Sequence, residues 1–313
     1  MKVIFGLVSL LVVFLGFSFN DTYGQISQNN AFLLEGSGFA VTEEIIKISQ
    51  IDLGLLSNTG SSSNLSFTTE DGFITLDENN YLATGLTGNF LRDGQFIRIR
   101  GDIEDTDGKT ASVSFFGRLI EESKNASIYG FTGRIATSNE SFKVVYTTKL
   151  TSFAEKPVIQ TTTDIKEKTI KILRGSSSIE GLVSNYYSED RISIQPGNSI
   201  TIINDDVVSH RIVSGSGLGT HSSVLSGKVI ICEPRDTTAK SGQSYIQTNC
   251  DFTLDGRIDT NEILPGKSIS IKFTDAGFYR LLDPSYPWMR IDGYVFPSSS
   301  SIILGTTTNQ QGN

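Results

Sequence analysis

The chain has 313 residues, with 26 Lys and Arg against 34 Asp and Glu, a formal net charge of -8 and a pI near 4.9. That length predicts two domains with cores of their own, and with no basic stripe along the chain nucleic acid is not an expected partner. Only two histidines occur, and Gly-x-Ser-x-Gly, His-Glu-x-x-His and phosphate-cradling motifs are missing, so the expectation is a protein that is not an enzyme.

Residues 1–24 read as a secretory signal: Lys2, an apolar run from Val3 to Phe19, then polar residues and a small Gly24 after which cleavage is expected. The alternative is an uncleaved membrane anchor, because the run is almost long enough to span a bilayer. No other apolar run could do so, which leaves no membrane span after cleavage. The expected location is outside the cell or on the outer face of its envelope. An unidentified protein there is the expected partner.

Residues 30–150 predict a first domain made of strands. "DGFITL", "GQFIRIRGDI", "KTASVSFFGRL", "ASIYGFTGRI" and "SFKVVYTTKL" each alternate apolar and polar residues, the period of a half-buried strand. Ser, Thr and Gly-rich pieces separate them, and no helix of three turns is predicted. The fold class is all-β, with an N-terminal antiparallel β-sandwich or barrel. Its role is not legible. Asn64, Asn125 and Asn139 begin Asn-x-Ser/Thr sequons, expected to be exposed acceptors for glycosylation.

Residues 151–167 have few apolar side chains and no period, and are expected to be a linker. A second strand series occupies 168–297: "TIKILRG", "RISIQPGNSITIIND", "SHRIVSG", "SGKVIICE", "GKSISIKF", "GFYRLL" and "DGYVF". Residues 298–313 form a Ser, Thr and Asn-rich tail, expected to be flexible. Cys232 and Cys250 are the only cysteines. An even count in an exported chain predicts one disulfide. Metal-binding thiolates are the other reading, without a Cys-x-x-Cys pair to support it.

Four features of the second series stand in one order: "ISIQPGNSITIINDDVVSHRIVSG", "DGRIDTNEILPGKSISIKF", "AGFYRLL" and "DPSYPWMRIDGYVF". This ordered set resembles the plastocyanin-like cupredoxins, and implies an antiparallel Greek-key β-sandwich with an insertion around 217–250. In that family a type 1 copper is held by one His, then by Cys, His and Met on the last loop. His210 matches the first ligand and Met289 the last. Asp283 stands where the cysteine would be and Tyr286 where the second histidine would be. Blue copper chemistry depends on the thiolate, so the resemblance implies a converted copper site. Pro287, Trp288 and Met289 are expected to form a corner of the last loop.

Three readings of this pole are open on the sequence. His210, Asp283, Tyr286 and Met289 could form a nitrogen and oxygen site for copper, zinc or iron, with His221 swinging in. Alternatively no metal binds: Asp283 accepts hydrogen bonds from backbone or His210, and Tyr286 and Trp288 pack as a plug. In the third reading, a metal arrives with a partner. An electron carrier with an altered ligand set is the alternative function. "DFTLDGRIDTNE" also places Asp251, Thr253, Asp255, Asp259 and Glu262 at ligand positions of a calcium loop, although without flanking helices, and the resemblance reads it as an interstrand turn.

Overall fold

The computed structural model describes residues 26–58, 60, 63–77, 79–105, 108–123, 126–153, 168–178, 185–217, 231–232 and 252–297. The expected signal, the tail, Asn125, His221, Cys250 and Asp251 lie outside them. All regular structure among the described residues is β, as the sequence predicts. None of those residues forms a helix long and apolar enough to cross a membrane.

The first nine strands are β1 (Ala31–Val41), β2 (Ile46–Ser57), β3 (Asn64–Leu76), β4 (Asn79–Leu82), β5 (Thr87–Leu91), β6 (Phe96–Asp105), β7 (Thr110–Glu122), β8 (Ala126–Ala136) and β9 (Ser141–Phe153). Their pairings are antiparallel, and β9 returns to β1, so the sheet closes into a barrel. β4 and β5 both lie between β3 and β6. They are two halves of one stave, interrupted where the Thr69 hydroxyl accepts the Leu86 N–H at 2.7 Å and donates to the Ala83 carbonyl at 2.8 Å. Closure leaves no free sheet edge among the described strands of the barrel.

Alternation gives each stave one face for the barrel interior. β7 buries Ala111, Val113 and Phe115 and exposes Ser112, Ser114 and Phe116. The inward residues of every stave merge in one core containing Phe32, Phe67, Phe90, Phe115 and Phe131. Two buried phenols are satisfied inside it, Tyr129 by the Gly94 carbonyl at 2.6 Å and Tyr146 by Ser49 Oγ at 2.8 Å. Asn64, at the start of β3, and Asn139, in the β8–β9 turn, are both exposed.

β9 runs on to Phe153 and takes in the first three residues of the expected linker. The second domain holds β10 (Lys168–Ile172), β11 (Arg191–Ile194), β12 (Ser199–Asn204), β13 (His210–Gly217), β14 (Ile231–Cys232), β15 (Phe252–Ile263), β16 (Ser268–Lys272), β17 (Gly277–Asp283) and β18 (Tyr286–Val295). They form a three-stranded sheet, β10-β12-β16, and a six-stranded sheet, β11-β18-β17-β13-β15-β14. Isoleucines from both sheets, with Phe273, Leu281 and Met289, make a single sandwich core. The chain changes sheet between β11 and β12 at Gln195-Pro196-Gly197-Asn198. There Gly197 takes φ +82 and the Asn198 N–H reaches the Gln195 carbonyl at 3.1 Å, as a Pro-Gly turn requires. The sandwich is not purely antiparallel as expected: β10 with β12, β11 with β18 and β14 with β15 run parallel.

Barrel and sandwich share a wall. Ala31, Leu33 and Phe153 pack with Phe278, Tyr294 and Phe296 in one buried cluster. Gly54 lies flat on the Phe278 ring, where an added Cβ would meet ring atoms at 3.0 Å. Beside this cluster, Arg280 Nη2 reaches Asp52 Oδ1 at 2.6 Å, and Arg290 Nη2 reaches Asp52 Oδ2 and Asp292 Oδ2 at 2.7 and 2.8 Å. Arg280 Nε also pairs with Asp71. Arg191 adds a contact to Glu35 at 2.5 Å.

Candidate functional site

The pole predicted to be a former copper site is built around two aspartates and a histidine. Asn204 closes β12 by donating to the Val208 and Ile263 carbonyls at 2.7 and 2.8 Å, and its Oδ1 accepts the Asp206 N–H at 2.9 Å. That fixes the turn between β12 and β13 and points the Asp206 carboxylate inward. The carboxylate accepts N–H groups of Gly175 at 2.8 Å, Val207 at 2.8 Å and Ser177 at 3.0 Å. Burial works to push its pKa up, but these hydrogen bonds outweigh burial and hold it at about 2.

His210 opens β13 and is fully enclosed. Its Nδ1 lies 2.7 Å from Asp283 Oδ2 and its Nε2 3.2 Å from Asp206 Oδ2, with all three side chains inaccessible to solvent. Asp283 ends β17, and its Oδ1 accepts the Ser285 N–H at 2.9 Å. Asp-Pro-Ser-Tyr is therefore a tight turn with Pro284 at its second position and the leading aspartate capping the backbone. Asp283 pairs with Tyr286 across it.

This turn corrects the expected geometry of the last loop. Tyr286, Pro287, Trp288 and Met289 are not a corner but the opening residues of β18. The hairpin is that short because Asp283 itself supplies the hydrogen bond that closes it. Tyr286 leans on the His210 ring, centroids 5.0 Å apart, and on Trp288 at 5.7 Å. Trp288 Nε1 donates to the Ser176 carbonyl at 2.9 Å, and Met289 is entirely buried in the sandwich core. The structure thus brings His210, Asp283, Tyr286 and Met289 to one pole.

As a copper cradle the pole does not fit. Among the described residues no thiolate stands at the pole, both imidazole nitrogens face carboxylates, and Asp283 already spends one oxygen on His210 and the other on the turn. The Tyr286 phenol is pushed up by burial and by Asp283 and Asp206, which disfavours a phenolate ligand. Among the described residues no three His, Cys, Asp or Glu side chains are grouped to hold a metal ion.

The calcium-loop residues are also spread out. Thr253, Asp255, Asp259 and Glu262 lie along β15, not around a point. Asp255 is held by Arg257 and by the Ser214 hydroxyl, and Asp259 by Arg211 at 2.5 Å. Cys232 lies on β14 beside Thr253, and no free cysteine is found among the described residues.

Sequence reasoning missed Asp206, although its place four residues before His210 was a usable signal. It also missed Tyr187, whose buried hydroxyl is raised well above its ordinary range by burial and by Asp283. The ion cluster between the domains had no local signal at all.

No family model and no curated relative matches the chain. Among solved structures it is similar to a purple cupredoxin from Nitrosopumilus maritimus, at 19% identity over 41% of this chain and 99% of that one, with TM-score 0.27. An auracyanin from Roseiflexus castenholzii is similar at 16% identity over 42% and 97%, with TM-score 0.25. A reduced amicyanin variant is similar at 12% identity over 43% and 86%, with TM-score 0.24.

Proposed function

We propose that the chain is an exported, non-catalytic interaction protein with a cupredoxin-like C-terminal domain, in which a carboxylate–imidazole–carboxylate cross-link replaces a metal. The observation that carries this reading is the double grip on His210 by Asp283 and Asp206. The three side chains tie the β12–β13 turn to the β17–β18 hairpin, the work a bound ion would otherwise do. The ordered motifs of the second domain and the signal-like N-terminus support the rest of the proposal. The partner is an extracellular or cell-envelope protein.

Copper titration of the purified mature protein tests it. Intense absorption in the red comes from thiolate-to-copper charge transfer, and none should develop. Such a band would restore the electron-carrier reading. Stoichiometric copper binding without the band, abolished in His210→Ala, would instead make the pole a nitrogen and oxygen metal site and overturn the cross-link.

A further inference from the structure

The outer wall of the barrel carries a pattern that no stretch of sequence displays. Three adjacent outward-facing rows cross the strands from Gln50, Ile48 and Ile46 on β2 round to Asn64, Ser66 and Thr68 on β3. They hold five cations, Arg98, Arg100, Arg118, Arg134 and Lys143, and not one carboxylate. In a chain where acids outnumber bases 34 to 26, that band is an inversion of the overall charge. All five are exposed, and none is ion-paired among the described residues.

At the β3–β5–β6 end the band borders a groove of about 360 Å³, in the size range of small-ligand sites. Arg98 and Arg100 line it together with Ser66, Thr68, Thr87 and Asn89. Next to it Phe96 and Phe116 stack, centroids 5.5 Å apart and 25° from parallel. Phe96 lies opposite Arg118, and Phe116 opposite Arg98. Aromatic and guanidinium groups thus alternate on a half-exposed surface.

We propose that this groove and band bind an acidic saccharide. Hydroxyl and amide side chains match sugar hydroxyls, Arg98 and Arg100 grip a carboxylate or sulfate group, and the phenylalanine pair receives the apolar face of a sugar ring. An anionic membrane fits less well, because Glu43 and Glu44 stand at the exposed tip of the β1–β2 hairpin beside Ile45 and Ile46. The inference rests on the barrel wall alone and is independent of the histidine pole.

The test is calorimetric titration of the full mature chain with a sulfated hexasaccharide, a hexauronate, neutral cellohexaose, a dodecathymidine strand and phosphatidylserine vesicles. At least one acidic saccharide should bind, more weakly as salt rises, and the sulfated and uronate arms tell which anion is read. Arg98→Ser and Arg100→Ser should each weaken binding about tenfold, the loss expected for a charge-assisted hydrogen bond. Lys168→Ser, on the other domain, should leave it unchanged. Both arginines are exposed, so thermal melts of the variants should match the parent, which separates lost binding from lost folding. The proposal is overturned if neither acidic saccharide binds, if cellohexaose binds equally, if the variants bind like the parent, or if the strand or the vesicles bind tighter than both acidic saccharides.

Discussion

Replacing Arg280 by methionine should cost more stability than any other single change at the wall between the domains. The side chain is 2% exposed and serves Asp52, Asp71 and Asp292 at once. Without it, Asp71 loses its cation, Asp52 and Asp292 keep only Arg290, and the cluster goes from one net negative charge to two. Removing one partner of a buried ion pair costs about 3–5 kcal/mol, which for a protein of this size lowers Tm by about 5–8 °C. The deficit should depend on pH in a definite direction. Burial pushes the Asp52 carboxyl up, but Arg280 and Arg290 outweigh it and hold it well below the usual carboxylate range. A depressed carboxylate stabilises the fold above its unfolded pKa of about 3.9 and loses that contribution as pH falls. The gap between parent and variant should therefore be full at pH 7 and shrink below about pH 4. Differential scanning calorimetry at both pH values reads it directly. Equal melting temperatures at pH 7, or a gap that does not change on acidification, would refute the electrostatic account of the wall.

Asp206→Asn should destabilise the sandwich by about 1–3 kcal/mol at neutral pH, because an amide cannot accept all the bonds the carboxylate accepts. Since the native carboxylate sits at about 2, the penalty should fade as pH drops from about 4 towards 2, read in urea melts through the fluorescence of Trp288, the single tryptophan. Met289→Ala should cost about 2–5 kcal/mol even in metal-free protein, because the side chain is fully buried. An unchanged denaturation midpoint would show that its packing is dispensable. Thiol titration of unreduced, denatured protein should find no free thiol, and reduction should lower stability by about 3 kcal/mol if Cys232 and Cys250 close a loop.

The sequence alone was enough for β6 to β9, because each has one face in the barrel core and one in water, and a period of two survives intact. β1 and β2 did not stand out in the same way. Ala31 to Leu34 are all buried, since Phe32 and Leu34 face the core while Ala31 and Leu33 face the sandwich, and a strand covered on both sides loses its alternation. Closure into a barrel was likewise beyond local pattern, because it depends on β9 finding β1 more than a hundred residues back.

The same division holds for the two sites. That position 283 carries a carboxylate and not a thiolate was legible in the sequence, because it is a matter of residue type. What Asp283 does was decided by the tertiary structure, which sets Asp206 and Asp283 on opposite sides of one imidazole. The cationic band follows the same logic. Its arginines and lysine are scattered through the sequence among ordinary polar residues, and only strand register places them side by side. Residue type sets what chemistry a side chain can perform; pairing across strands sets which side chains meet, and that information is non-local.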